Sequence, residues 1–153
     1  MRKIILAVAF LLAVTGCENK KGAFLESVPS QNSHQVSVSK FLKALEAYHL
    51  THFGTIDHAA NAKKAGLSLK PETVVLFGNP QAGTKLMECN PSMGMDLPLR
   101  MLFTTNYEGE TTISYTNPEY WTLKHNIKDK VCLGIIQKVH VAMKELAKAA
   151  AKK

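Results

Sequence analysis

The segment Leu99–Tyr115, which reads LRMLFTTNYEGETTISY, gives the clearest indication of the fold. Two runs rich in β-branched and aromatic residues, 99–106 and 111–115, flank the polar turn Tyr107–Glu110. Gly109 supplies the positive φ that a tight hairpin turn requires. The stretch therefore predicts two antiparallel strands joined by a hairpin.

Outside the hairpin, short β-branched runs alternate with amphipathic helical patterns. We predict further strands at 23–28, 51–57 and 73–77 and helices that begin near Ser37, His58, Thr84, Asn117 and Asp129. The last helix carries an apolar stripe of Val131, Ile135, Val139, Met143 and Leu146 and should fray after Lys148. The pattern predicts an α+β fold, with a single small sheet of about five strands, packed helices and a long C-terminal helix.

The N-terminus has the pattern of an export signal. Met1–Lys3 is basic, and Ile4–Val14 is an apolar run of 11 residues, whereas a membrane-spanning helix needs about 20. The run ends in VTGC at 14–17, and small residues before a cysteine resemble the lipobox of bacterial lipoproteins. We therefore expect residues 1–16 to be a cleaved signal peptide and Cys17 to be lipidated.

A lipidated Cys17 would hold the protein on a membrane in the cell envelope, facing the periplasm. Residues 17–22 then form a tether, 23–128 form the α+β domain and 129–153 form the C-terminal helix with its basic tail. Glu18 stands where enteric lipoproteins of the inner membrane carry aspartate, which favours the outer membrane.

Composition limits the classes of partner. The chain has 153 residues and is 46% hydrophobic, which suits one globular domain. Its formal net charge is +7, but much of the surplus lies in the lysines of the C-terminal tail. Because no basic patch is interleaved with aromatic residues, we expect attraction to anionic head groups and no nucleic-acid partner.

Three ordered blocks carry a resemblance to a known family. They are IDHA at 56–59, FGNP at 77–80 followed by Gly83–Thr84, and DLPL at 96–99. With their surroundings, from about Ser37 to His125, they resemble domain-of-unknown-function family 302. The resemblance implies a small α+β fold with one sheet and implies no activity. The sulfur-bearing residues at 89, 93 and 95 depart from the family pattern, and the C-terminal helix looks like an addition to it.

Polar residues within these blocks predict a pocket formed by Asp57, His58, Asn79, Thr84 and Asp96. Asn79 and Thr84 would orient a ligand by hydrogen bonds, and Asp57 or Asp96 would accept them. Alternatively, the two aspartates cap helices or tie turns. The run GNPQAGTK at 78–85 resembles a phosphate loop, but Thr84 precedes Lys85, the reverse of the required order, so an NTPase is not supported.

Sulfur atoms suggest two further hypotheses. Cys89, Met93 and Met95 offer soft ligands suited to Cu(I), although methionines also fill irregular gaps in a core. Cys89 and Cys132 could form a disulfide after export or remain two buried thiols.

The sequence therefore leaves three functions open. The first is a non-enzymatic module that binds a small ligand or a partner protein near the membrane. The second is an enzyme that uses Asp57, His58 or Asp96 for proton transfer. The third is periplasmic copper handling through Met93, Met95 and Cys89, and no other cofactor is required by the sequence.

Overall fold

The computed structural model describes residues 24–153 of the chain. The predicted signal peptide (1–16), the lipidated Cys17 and the tether (17–22) lie outside the described residues. Within the described part, no helix combines the length and the apolar character that crossing a membrane requires.

The centre of the fold is an antiparallel sheet of five strands in the order β1-β5-β4-β3-β2. The strands are β1 (Leu25–Pro29), β2 (Thr51–Asp57), β3 (Glu72–Gly78), β4 (Leu99–Thr105) and β5 (Thr111–Thr116). The predicted hairpin is confirmed, because β4 and β5 pair from Thr105–Thr111 onward and Gly109 has a φ of +84°.

The helices are α1 (His34–Ala47), α2 (His58–Lys64), α3 (Pro80–Cys89), α4 (Trp121–Lys124) and α5 (Lys130–Ala151). Two short 3₁₀ helices, Pro91–Met95 and Pro118–Tyr120, lie in the connections. The fold class predicted from the sequence is therefore confirmed: an α+β domain with one five-stranded sheet and a long C-terminal helix.

The core lies between one face of the sheet and the helices α1 and α5, which also pack against each other. Alternate strand residues point into it and are fully buried, as period-two patterning requires: Val75, Phe77, Met101, Phe103 and Ile113. Phe41 of α1 meets two of them edge-on, with ring centroids 5.0 Å from Phe77 and 5.4 Å from Phe103. These aromatic contacts fasten α1 to the middle of the sheet.

Two predicted helix starts were wrong. Helix α1 begins at His34, with Ser33 at the N-cap position, while Ser37 is fully buried inside the helix and donates to the Ser33 carbonyl. Helix α3 begins at Pro80, because the Asn79 side chain accepts from the Ala82 amide and proline is favourable at the first helical position. Thr84 is therefore an internal helix residue, not the cap.

The end of α5 also differs from the prediction. The tail does not fray after Lys148 but stays helical to Ala151, where Ala150 and Ala151 are buried. The Asn32 side chain donates to the carbonyls of Ala150 and Lys152, so a loop before α1 caps the helix end. Tertiary contacts thus hold a terminus that would fray in isolation.

The buried face of α5 is rotated from the predicted stripe. Val131 is 67% exposed, whereas Cys132 and Ile136 are buried together with Met143 and Leu146. Ile135 and Val139 lie half-buried beside the core and line a cavity.

Candidate functional site

A cavity of about 660 Å³ opens between α3, α5 and the end of the sheet where β3 finishes and β4 begins. Its position follows from the sequence, because β3 ends at Gly78 and the Asn79–Pro80 cap turns the chain directly into α3. The walls are mainly apolar side chains: Leu50, Phe53, Phe77, Leu86, Met87, Leu97, Leu99, Ile135, Val139, Met143 and Leu146. A volume between 300 and 1,000 Å³ is typical of small-molecule sites.

Three polar side chains lie on the cavity wall. Asn79 accepts from Ala82 through Oδ1, so its Nδ2 donors remain for a ligand, and Thr84 donates to the Pro80 carbonyl at 2.8 Å. Of the described residues that line the cavity, Lys138 of α5 is the only one with an ionisable side chain. Among the described residues, the wall therefore offers one positive charge and no negative charge.

The predicted pocket is not assembled as one site. Asp57 pairs with Thr73 at one end of the β2–β3 ladder, whereas Gly78, next to Asn79, pairs with Thr51 at the other end. Asp57 caps α2 by accepting from Ala60 at 2.8 Å, which is the capping role that the sequence left open. It also lines a separate groove of about 800 Å³ between α1 and the sheet, and His58 lies half-buried in α2.

In that second groove His34 is half-buried. Its Nε2 lies 2.9 Å from the Thr73 hydroxyl and its Nδ1 lies 3.3 Å from that of Thr105. Burial lowers the pKa of His34, and the negative charge of Asp57 opposes that shift. The neutral imidazole is thus favoured, and it links α1 to β3 and β4.

Asp96 belongs to a different network, whose members do not line the first cavity. Its Oδ2 lies 2.6 Å from Nε2 of His125, and its Oδ1 accepts from Lys124 at 2.8 Å. On the other side of the imidazole, Nδ1 of His125 lies 2.6 Å from the hydroxyl oxygen of Ser92. Burial opposes ionisation of Asp96, but the hydrogen bonds from Lys124 and His125 outweigh it and hold the pKa of that carboxyl below its ordinary value.

With this geometry in place, comparison with known proteins assigns the chain to a family. The family model described as "Domain of unknown function DUF302" matches residues 26–150. The chain belongs to the DUF302 family. The match runs almost to the end of α5, so the expectation that this helix is an addition to the family domain was wrong. Its buried residues Ile136 and Met143 explain why the domain needs it.

About two thirds of the chain is also similar to parts of larger curated proteins. The chain is 32% identical over 103 residues to proteins named "Fluoride-specific ion channel FluC 1" from Brucella suis biovar 1 and "Fluoride-specific ion channel FluC 2" from Brucella melitensis biotype 1. The match covers 67% of this chain and 41% or 38% of those proteins. The chain thus spans about two fifths of the length of these relatives.

A solved structure shares the fold. The crystal structure of an uncharacterized conserved DUF302 protein from Bacillus stearothermophilus matches with a TM-score of 0.75 at 16% identity. The match covers 84% of this chain and 98% of the other. At this identity the likeness supports the fold alone.

In the structure of this DUF302 domain, one of the three sulfur ligands of the copper hypothesis is already bonded. Cys89 and Cys132 are joined in a disulfide, so the proposed thiolate ligand does not exist in this state. Met93 is fully buried in the core whereas Met95 is 75% exposed, so the two methionines lie in different environments. Between residues 24 and 153, the one cluster of His, Cys, Asp or Glu with metal-like spacing comprises those two bonded cysteines and Asp129.

Sequence reasoning missed the roles of three residues at these sites. Lys138 was hidden among the many lysines of the C-terminal part, and it lies on the cavity-lining side of α5 together with Ile135 and Ala142. Ser92 and His125 are 33 positions apart, and no sequence spacing connects them. The one usable signal was Asn90–Pro91, an N-cap pattern that predicts a helical turn starting beside Ser92.

Proposed function

We propose that this DUF302 protein is a membrane-anchored binding module for small amphiphiles with an apolar chain and an anionic head group. The main support is the apolar cavity of about 660 Å³. Among the described residues that line it, Lys138 carries the single charge. Apolar side chains at its mouth remain in contact with water, including Phe53, which is 52% exposed. Covering them with a hydrocarbon chain would contribute about 25 cal/mol per Å² buried.

The polar residues of the cavity wall indicate the chemistry of the head group. Lys138 and the Nδ2 group of Asn79 are donors, and no carboxylate lines the cavity among the described residues. A carboxylate is therefore favoured over a cationic head group, and a fatty acid is the simplest molecule with both parts.

The anchor supports the same proposal. A five-residue tether after a lipidated Cys17 reaches at most about 18 Å, so the domain would stay beside its membrane. Leu25 pairs with Thr116, the last residue of β5, and this end of β5 lies beside the start of β4. The cavity also lies at the start of β4. The N-terminus of the described domain and the cavity are therefore at the same end of the sheet. They are two to three strand spacings apart, about 10–15 Å. The curated relatives are named as ion channels, which also favours a role at a membrane.

The test is binding of the fluorescent fatty acid cis-parinaric acid to the purified protein, with displacement by palmitate or by hexadecanol. We expect saturable binding, with palmitate the stronger competitor because it carries the charge that Lys138 complements. Lys138→Ala should weaken palmitate binding up to about fivefold, the size of an exposed charge pair. Lys144→Ala, on the same helix but away from the cavity, is the matched control.

A second pair of variants tests the location. Ala142 lines the cavity, and Ala142→Trp should fill it and reduce affinity at least tenfold. Val141, the adjacent residue, is 63% exposed and faces away, so Val141→Trp should leave binding unchanged. No binding by the parent protein, or equal affinity of the two tryptophan variants, would refute the proposal.

A further inference from the structure

The hydrogen-bonded chain Ser92–His125–Asp96 has the order of a nucleophile, a base and an orienting acid. The Ser92 hydroxyl lies 2.6 Å from Nδ1 of His125, and Nε2 of His125 lies 2.6 Å from Oδ2 of Asp96. Both distances fall within hydrogen-bonding reach. Such a chain is recognised by geometry and roles rather than by sequence order or fold.

The protonation states follow from the chemistry of the partners. The ionised carboxylate of Asp96 can only accept, so Nε2 of His125 carries the ring hydrogen and donates it. Nδ1 is then left with its lone pair and accepts from the Ser92 hydroxyl. This is the tautomer in which the imidazole can take the serine proton, with the two ring nitrogens exchanged relative to chymotrypsin-type sites.

The serine and the histidine also differ in solvent exposure, as a nucleophile and its general base require. The His125 residue is 3% exposed, so the base is shielded from water, whereas Ser92 is exposed and open to a substrate. Gly94, two residues after Ser92 on the same 3₁₀ helix, lines the apolar cavity. Ser92 does not itself line the cavity, so an ester with its acyl chain in the cavity would have to extend past Gly94 to reach the serine.

We propose that Ser92 is the nucleophile of a carboxylic-ester hydrolase site in which His125 is the base and Asp96 positions the imidazole. The Ser92 oxygen bonds to the ester carbonyl carbon while its proton passes to Nδ1 of His125. The bond from that carbon to the alcohol oxygen then breaks, and the alcohol leaves with that proton. Water, activated in the same way, cleaves the acyl-serine and releases the carboxylic acid.

This activity goes beyond ligand binding, and only the choice of an apolar acyl group rests on the proposed function of the cavity. The Ser92 amide is already bonded to Oδ1 of Asn90 at 2.9 Å, so it is not free to stabilise an oxyanion. We therefore expect slow turnover, since losing one such donor typically costs about 10²–10³-fold in rate. Covalent labelling of Ser92 is accordingly the primary measurement.

The experiment treats the purified full-length protein with a fluorophosphonate probe and locates the adduct by peptide mass spectrometry. Hydrolysis of p-nitrophenyl butyrate is followed in parallel. We expect the adduct on Ser92, and Ser92→Ala should abolish both labelling and hydrolysis. Ser39→Ala, which removes another exposed serine hydroxyl, should leave both unchanged.

A second variant separates catalysis from structure. Asp96→Asn keeps a side chain of the same shape, and we expect it to slow labelling at least tenfold while circular dichroism shows a folded protein. Its remaining rate should also change its dependence on pH, because the carboxylate no longer favours the reactive tautomer. No adduct on Ser92 in the folded parent protein, or equal labelling of the parent and Asp96→Asn, overturns the proposal. These outcomes do not depend on whether palmitate binds the cavity.

Discussion

Removing the disulfide should cost this domain a large part of its stability. The bond joins Cys89, the last residue of α3, to Cys132 in the first turn of α5, across a sequence separation of 43 residues. In the chain-entropy model a loop of that length stabilises the folded state by about 4 kcal/mol at 25 °C. For a domain of this size that corresponds to a decrease in Tm of roughly 10 °C.

The measurement is urea unfolding followed by circular dichroism, with and without dithiothreitol. Reduction should lower the free energy of unfolding of the parent protein by about 3–4 kcal/mol. The double variant Cys89→Ser with Cys132→Ala should have the lower stability in both buffers, and dithiothreitol should not change it. This control separates the disulfide from any effect of the reductant on Cys17.

A shift of less than about 1 kcal/mol on reduction would contradict the reasoning. It would mean that the unfolded chain gains little freedom when the 43-residue link is opened.

Two further predictions follow from the anchor and from the network around His140. Cys17→Ala should move the protein from the membrane to the soluble fraction, and parent protein found unlipidated in the cytosol would contradict the anchor. Glu26 is hydrogen-bonded by Tyr115 and His140; although burial opposes its ionisation, these bonds hold its pKa below its ordinary value of 4.5. Its contribution to stability is therefore present above that pH and lost as the pH falls below it, and Glu26→Gln should flatten this part of a plot of unfolding free energy against pH.

Local signals predicted the strands well because each signal acts within its own segment. The turn at Gly109 sets the β4–β5 register, and the β-branched run at 73–77 can bury alternate residues only as a strand. The start of α3 was also readable. Asn79–Pro80 has the same cap-and-proline pattern that correctly placed the 3₁₀ helix after Asn117, and it should have outranked Thr84.

The site was harder to predict because its residues meet through non-local packing. Asp57 and Asn79 both lie next to strand ends, yet the antiparallel pairing of β2 with β3 sends those ends to opposite sides of the domain. The same ambiguity affected α5, where a stripe beginning at Val131 and one beginning at Cys132 fit the helical period almost equally well. Only the packing against α1 and the sheet selects the second.

The segment between α3 and β4 determines how the cavity meets a ligand. It begins at the disulfide-bonded Cys89, buries Met93 completely in the core and is held at Asp96 by Lys124 and His125. Because these contacts hold it at both ends and in the middle, the cavity wall at Gly94 does not have to become ordered when a ligand arrives. A preformed wall reduces the entropy lost on binding, so affinity should follow the apolar area that the ligand covers. It also keeps Ser92 in one position relative to the cavity, which a covalent step at that residue would require.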